Sequence, residues 1–145
     1  MIHKKESVLI NEQITKVFAV AKDIEKLSEF IPEYKNVTIL SKKENKMELE
    51  AQIKFMGTTI TFISIGIITP DESIKYEQIK GPLKGLLTEW RFEEVNSKTR
   101  LSIIHTLDLR IPLIGRLIEE VIYRFAIKHM ANEVLMSMKK VMGNR

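Results

Sequence analysis

Between Arg100 and Arg110 the residues Leu101, Ile103, His105, Leu107 and Leu109 recur at every second position. Successive strand side chains point to opposite faces, so this spacing places an imidazole on an otherwise apolar face. A histidine there can hydrogen-bond a ligand carbonyl or hydroxyl, or act as a general acid or base. It can equally be a core histidine bonded to a neighbouring Thr or Tyr. The sequence leaves both readings open. A second strand repeats the pattern with Leu86, Thr88, Trp90 and Phe92 on one face and Leu87, Glu89, Arg91 and Glu93 on the other. Trp90 is the only tryptophan of the chain. Ile74 and Tyr76, then Met47, Leu49, Ile53 and Phe55, extend the inward surface across two more strands. Ser64 and Gln78 are further polar candidates. Apolar walls with a few polar groups describe a small-molecule pocket. They also describe a close-packed core, because a cavity is missing volume rather than a residue type.

Several chemistries are excluded. The chain has no cysteine, hence no disulfide, thiolate metal site or cysteine nucleophile. Its histidines show no metal-ligand spacing beside a carboxylate, so neither a metal nor another cofactor is expected. His3 reads as solvated, and His129 as a residue at the border of the pocket. Gly81 and Gly85 flank a turn and do not precede a helix, so they cradle no phosphate. No nucleic-acid motif emerges. Net charge is +4, which permits an anionic partner without requiring one. The cluster Lys35, Lys42, Lys43 and Lys46 reads first as a solvated rim, with anionic lipid or RNA phosphate as the other reading.

The 145 residues suit one domain spanning 1–145. The N-terminal MIHKKESVLI lacks a signal-peptide pattern, no run is long enough to span a membrane, and a cytoplasmic location is expected. Periodicity predicts a strand over His3–Asn11 and a helix over Glu12–Lys22. A second short helix runs to Glu29, with Asp23 as its N-cap. Strands follow at Val37–Ser41, Met47–Phe55, Thr58–Thr69, Ser73–Lys80, Leu86–Val95 and Arg100–Arg110. Pro112 opens a helix to about Met142, with Leu117, Ile118, Val121, Ile122, Phe125, Ala126, Met130, Val134 and Met138 as its apolar set. Short turns imply an antiparallel meander, and that helix must cover its apolar face. The strand TTITFISIGII is apolar on both faces. If Phe62, Ser64 and Ile68 face inward, Ile63, Ile65 and Ile67 form an outward patch that suits a homodimer or is covered.

Three segments carry a family resemblance: VFAVAKDIEKLSEFIP (Val17–Pro32), GPLKGLLTEWRF (Gly81–Phe92), and Pro112-Leu113 followed by a long helix containing Met130. With this element order the chain resembles the START-like (Bet v 1-like, SRPBCC) superfamily. The nearest branch looks like the coenzyme Q-binding and polyketide cyclase/dehydrase proteins. The resemblance implies an α+β helix-grip fold: a curved antiparallel sheet of about seven strands around a long C-terminal helix, with two short helices after the first strand. It also implies a hydrophobic ligand, such as a lipid, isoprenoid quinone or polyketide-like molecule, held between sheet and helix. The ligand-binding residues expected are Phe55, Tyr76, Thr88, Trp90, Phe92, Ile103, His105 and Leu107, joined by Val121 and Phe125 from the helix. No catalytic residue is assigned, and a non-catalytic binder is favoured. The alternatives are a cyclase or dehydratase in which His105 or Tyr76 moves protons, and a ribosome- or protein-interaction module. Contact with a membrane surface is a further expectation. The segment Phe30–Asn36 and the turn Pro82–Gly85 should flank a mouth closed by the start of the last helix.

Overall fold

Alternating apolar residues become strand wherever a turn former bounds them, and the computed structural model, which describes residues 1–110 and 115–143, follows that rule closely. The elements are β1 (Ile2–Ile10), α1 (Ile14–Lys22), α2 (Ile24–Ser28), β2 (Tyr34–Lys43), β3 (Lys46–Phe55), β4 (Thr58–Thr69), β5 (Ser73–Lys80), β6 (Leu87–Val95) and β7 (Lys98–Leu107). All seven strands form one antiparallel sheet in the order β1-β7-β6-β5-β4-β3-β2. The two short helices separate β1 from β2 in the chain, and these strands become the opposite edges. Tight hairpins at Met56-Gly57 and Asn96-Ser97 have positive φ at both central residues, the geometry whose twist matches the flanking strands. The fold is therefore the α+β helix-grip architecture that the family resemblance implies.

Boundaries differ by more than one residue in α1, β2 and β7. β2 is longer than Val37–Ser41. α1 begins at Ile14 rather than Glu12. Asp23 precedes α2 but makes no side-chain cap bond. β7 stops at Leu107 rather than Arg110: the Leu109 N–H donates to the Glu119 carboxylate at 2.6 Å, and Arg110 takes φ +55°. Glu119 is buried and also meets the Met1 ammonium at 2.7 Å. That ammonium, before the cost of burial, holds its carboxyl below the usual carboxylate range.

The last helix departs most from expectation. Its proposed start at Pro112 lies outside the described residues. From there on it consists of α3 (Gly115–Ile122), a π-turn (Tyr123–Ile127) and α4 (Lys128–Gly143). Its buried residues include Glu119, Tyr123, Ile127, Ala131 and Leu135, which recur every fourth position, besides Val134, Met138 and Met142. An α-helix repeats every 3.6 residues, so this stripe drifts by about 40° per step, and the wider π-turn absorbs part of the drift. The stripe two positions away faces solvent. Leu117, Val121 and Phe125 are 68%, 49% and 66% exposed. The apolar set expected from sequence takes in this exposed stripe, the half-buried Ile118, Ile122, Ala126 and Met130, and the buried Val134 and Met138, but none of the residues of the buried stripe.

Two apolar clusters divide the inner face. In the larger, α1 lays Phe18 edge-on against Phe92, with ring centroids 5.0 Å apart. The smaller joins Ile2, Leu107, Tyr123 and Ile127. On the outer face, Ile63 and Ile65 are half-buried and Ile67 is exposed. Their cross-strand neighbours are charged: Glu50 and Lys80 beside Ile63, Glu48 and Glu77 beside Ile65, Lys46 and Lys75 beside Ile67. Such long side chains lay their alkyl stems over apolar neighbours. The isoleucines are thus interleaved with charge rather than forming a bare ridge.

Candidate ligand cavity

Between the two clusters the sheet and the last helix do not meet fully, and a cavity of about 190 Å³ remains. Its sheet wall includes Phe55, Tyr76, Thr88, Trp90, Ile103 and His105. These come from four strands, β3, β5, β6 and β7, and alternation turns each to the same side. The other four residues expected there are elsewhere. Phe92 is packed under Phe18, and Leu107 belongs to the smaller cluster. Val121 and Phe125 point to solvent. The helix wall is instead Ala126, Ile127, Met130, Ala131 and Val134. Ile127 and Ala131 escaped the sequence reading because the π-turn alters the helical phase. Ile60 and Phe62 of β4 also line the cavity, where apolar residues on both faces of the strand obscured its register. Ile24 and Val37 were missed for want of any signal beyond hydrophobicity.

A polar row crosses this apolar wall. Tyr76 pairs with Thr88 on the next strand, and Thr88 pairs with His105 on the one after. Neighbouring strands are about 4.8 Å apart, so the three side chains form a short ladder facing the helix. The Tyr76 hydroxyl and the His105 Nδ1 are both buried and have no hydrogen-bond partner among the described residues. Both residues are more than nine-tenths buried. An unpaired buried polar atom costs about 1–3 kcal/mol, and two of them border this one cavity. Burial pushes the His105 imidazole down to about 4 and the Tyr34 phenol up to about 12. Burial raises Tyr76 as well, with a smaller contribution from Tyr34. At neutral pH the row is uncharged, with Tyr76 as a hydroxyl donor and His105 as a neutral imidazole.

Neighbouring residues fix these positions. The Tyr76 ring lies edge-on to Trp90, centroids 6.3 Å apart. Gln78 braces the loop between β5 and β6: its Oε1 accepts from the Leu83 N–H at 2.8 Å, and its carbonyl accepts from Gly85 N–H at 2.8 Å. Gly81 makes this possible, because a Cβ there would sit 2.6 Å from the Gln78 Oε1 and 2.7 Å from the Phe62 Cβ. Tyr34, the first residue of β2 and part of the segment Phe30–Asn36, and Pro82 and Leu83 from the braced loop, line the cavity together with Ala126 and Met130. Pro82 is exposed, and Leu83, Ala126 and Met130 are partly so, which marks this end as the mouth. The start of the last helix, expected to close it, lies partly outside the described residues. Beside Tyr34, the His129 Nε2 lies 3.2 Å from the Glu33 Oε1 and ties the segment to α4. With Glu133 these residues place three donor atoms within 4.8 Å of one another, a grouping made by the fold rather than by spacing along the chain. His3 is exposed and bonds to Thr106 through Nδ1 at 2.8 Å.

The sequence matches the family described as "Polyketide cyclase / dehydrase and lipid transport" over residues 10–132. Among curated proteins it is 27% identical to the ribosome association toxin RatA of Vibrio cholerae over 86 residues. That match spans 59% of this chain and 60% of the relative's length. Among solved structures, the di-domain ARO/CYC StfQ from the steffimycin biosynthetic pathway superposes with a TM-score of 0.85 at 18% identity, covering 99% of this chain and 51% of that one. A START superfamily protein from Mycobacterium smegmatis superposes with a TM-score of 0.77 at 14% identity, covering 97% and 99% of the two chains. At such identities the structural likeness establishes the fold. No helix among the described residues is long and apolar enough to cross a membrane.

Proposed function

The chain belongs to the polyketide cyclase/dehydrase and lipid transport family, and from that premise we propose that it binds and carries a hydrophobic small molecule between the sheet and the last helix. The observation that carries this reading is the pair of buried, partnerless polar atoms beside an otherwise apolar cavity. Burial of apolar ligand surface supplies the affinity, at about 25 cal/mol per Å² before ordering costs. Tyr76, Thr88 and His105 orient the ligand's polar end. Phe55, Trp90 and Ile103 supply apolar wall. Carriage is favoured over catalysis because a general base works best with a pKa near the operating pH, and burial holds His105 near 4. The experiment is organic extraction of the purified protein with mass spectrometry of the extract, followed by titration of the recovered compound against Trp90 fluorescence. A bound apolar compound that changes the Trp90 emission is the expected result. Stoichiometric turnover of a poly-β-ketone substrate, lost in His105→Gln, would instead establish a cyclase.

A second reading follows from the match to RatA. Lys35, Lys42 and Lys43 are exposed on β2, an edge strand, and Lys46 is exposed at the start of β3. Lysines on an edge discourage strand pairing with other chains, and the same row offers charge to RNA phosphate. Co-sedimentation with ribosomes that weakens with salt, and is lost when these lysines become glutamine, is the outcome this reading requires.

A further inference from the structure

We infer that the cavity is selective for a compact, uncharged ligand carrying a hydroxyl or carbonyl oxygen on a single ring, and that it excludes amphiphiles with an anionic head. The inference deepens the binding reading above and rests on it. Size is the first argument. A cavity of about 150 Å³ accepts a benzene molecule, whereas drug-sized ligands occupy roughly 300–1,000 Å³. The 190 Å³ here therefore suits one ring with a short substituent. A longer tail has to leave between Pro82 and Met130, at the partly exposed end.

Charge is the second argument. No Lys, Arg, Asp or Glu is among the described residues that line the cavity. A carboxylate or phosphate brought to the level of Tyr76 and His105 would lose its water without gaining a counter-charge. Removing an ion from water unpaired costs far more than one hydrogen bond returns. An uncharged oxygen faces no such penalty. The buried Tyr76 hydroxyl can donate to it, and His105 can pair with a ligand hydroxyl or carbonyl according to its tautomer. The polar row thus reads oxygen and rejects charge. The exposed lysines of β2 and of the start of β3 are not in the wall.

Three probes of nearly equal shape test this: propylbenzene, p-propylphenol and p-propylbenzoate, each titrated at neutral pH by calorimetry and by Trp90 fluorescence. The phenol should bind about tenfold more tightly than propylbenzene, the equivalent of one good hydrogen bond. The benzoate should bind more than about a hundredfold more weakly than the phenol. In Tyr76→Phe the ratio of phenol to propylbenzene affinity should fall about fivefold. Benzoate binding as tight as that of the phenol overturns the inference, as does a phenol no tighter than propylbenzene. Either result leaves the apolar cavity standing, because propylbenzene still binds. If none of the three binds, the binding reading falls and the inference falls with it. An unchanged ratio in a folded Tyr76→Phe would remove the polar row from recognition.

Discussion

A methyl group placed on Gly66 would lie 2.9 Å from the Cε1 of Tyr76 and 3.1 Å from its Cδ1. The two residues pair directly across β4 and β5, and the tyrosine ring rests on the space that the glycine leaves. Gly66→Ala should therefore displace the ring, at a cost of about 1–3 kcal/mol in urea unfolding. The same substitution should shift the Trp90 emission, since Tyr76 packs against the indole. An alanine variant of wild-type stability and unchanged emission would show that the ring is not seated there.

Tyr76→Phe should behave oppositely. It keeps the ring over Gly66 and removes a buried hydroxyl that lacks a partner. Replacing such a group by an apolar one is neutral or stabilising. The variant should match or exceed the parent in thermal unfolding by about 1 kcal/mol, while losing preference for oxygenated ligands. A loss of more than about 1 kcal/mol would mean that the hydroxyl has a structural partner.

His105 gives a pH signature. An unfolded histidine titrates near 6.5, and burial lowers the folded value to about 4. Between these values the unfolded chain binds a proton that the folded chain does not. The contribution is complete above about pH 6.5, declines as pH falls, and levels off below about 4. Its full size is about 3 kcal/mol. Glu119, whose folded value is depressed, acts in a lower window, with its contribution lost as pH falls below the ordinary carboxylate range. Denaturation at pH 5 and pH 7 should show the histidine slope, and His105→Gln should flatten it.

The exposed stripe is tested by contrast. Phe92→Ala should cost about 3–5 kcal/mol, since Phe92 is buried against Phe18. Phe125→Ala should stay within about 0.5 kcal/mol, since Phe125 is two-thirds exposed. Equal losses would mean that the helix presents the other face to the sheet.

Strand alternation made the sheet wall legible from sequence. Tyr76, Thr88, Trp90, Ile103 and His105 share one side because a period of two tolerates no drift. The helix wall was not legible in the same way. A set containing Val121 and Phe125 satisfies helical spacing as well as one containing Ile127 and Ala131, and periodicity cannot reveal where a wide turn resets the phase. Phe92 shows a different limit. Its inward direction was readable, but whether it would meet empty space or Phe18 depended on where α1 docked. Glu33 and His129 lie 96 positions apart, and no local pattern connects them.

The π-turn also bears on why sheet and helix leave a space between them. It falls where the smaller cluster, ending in Ile127, gives way to the larger, which resumes at Ala131. The helix is in effect two gears on one shaft, each meshed with its own part of the sheet. At the seam neither set of teeth engages, and the side chains presented there include two alanines, Ala126 and Ala131. Restoring uniform pitch by deleting one residue from 123–127 would turn the upstream gear by about 100°. That would carry Glu119 and Tyr123 away from their partners. The chain therefore keeps the slack, and the cavity is the geometric remainder of two packings that do not share a period.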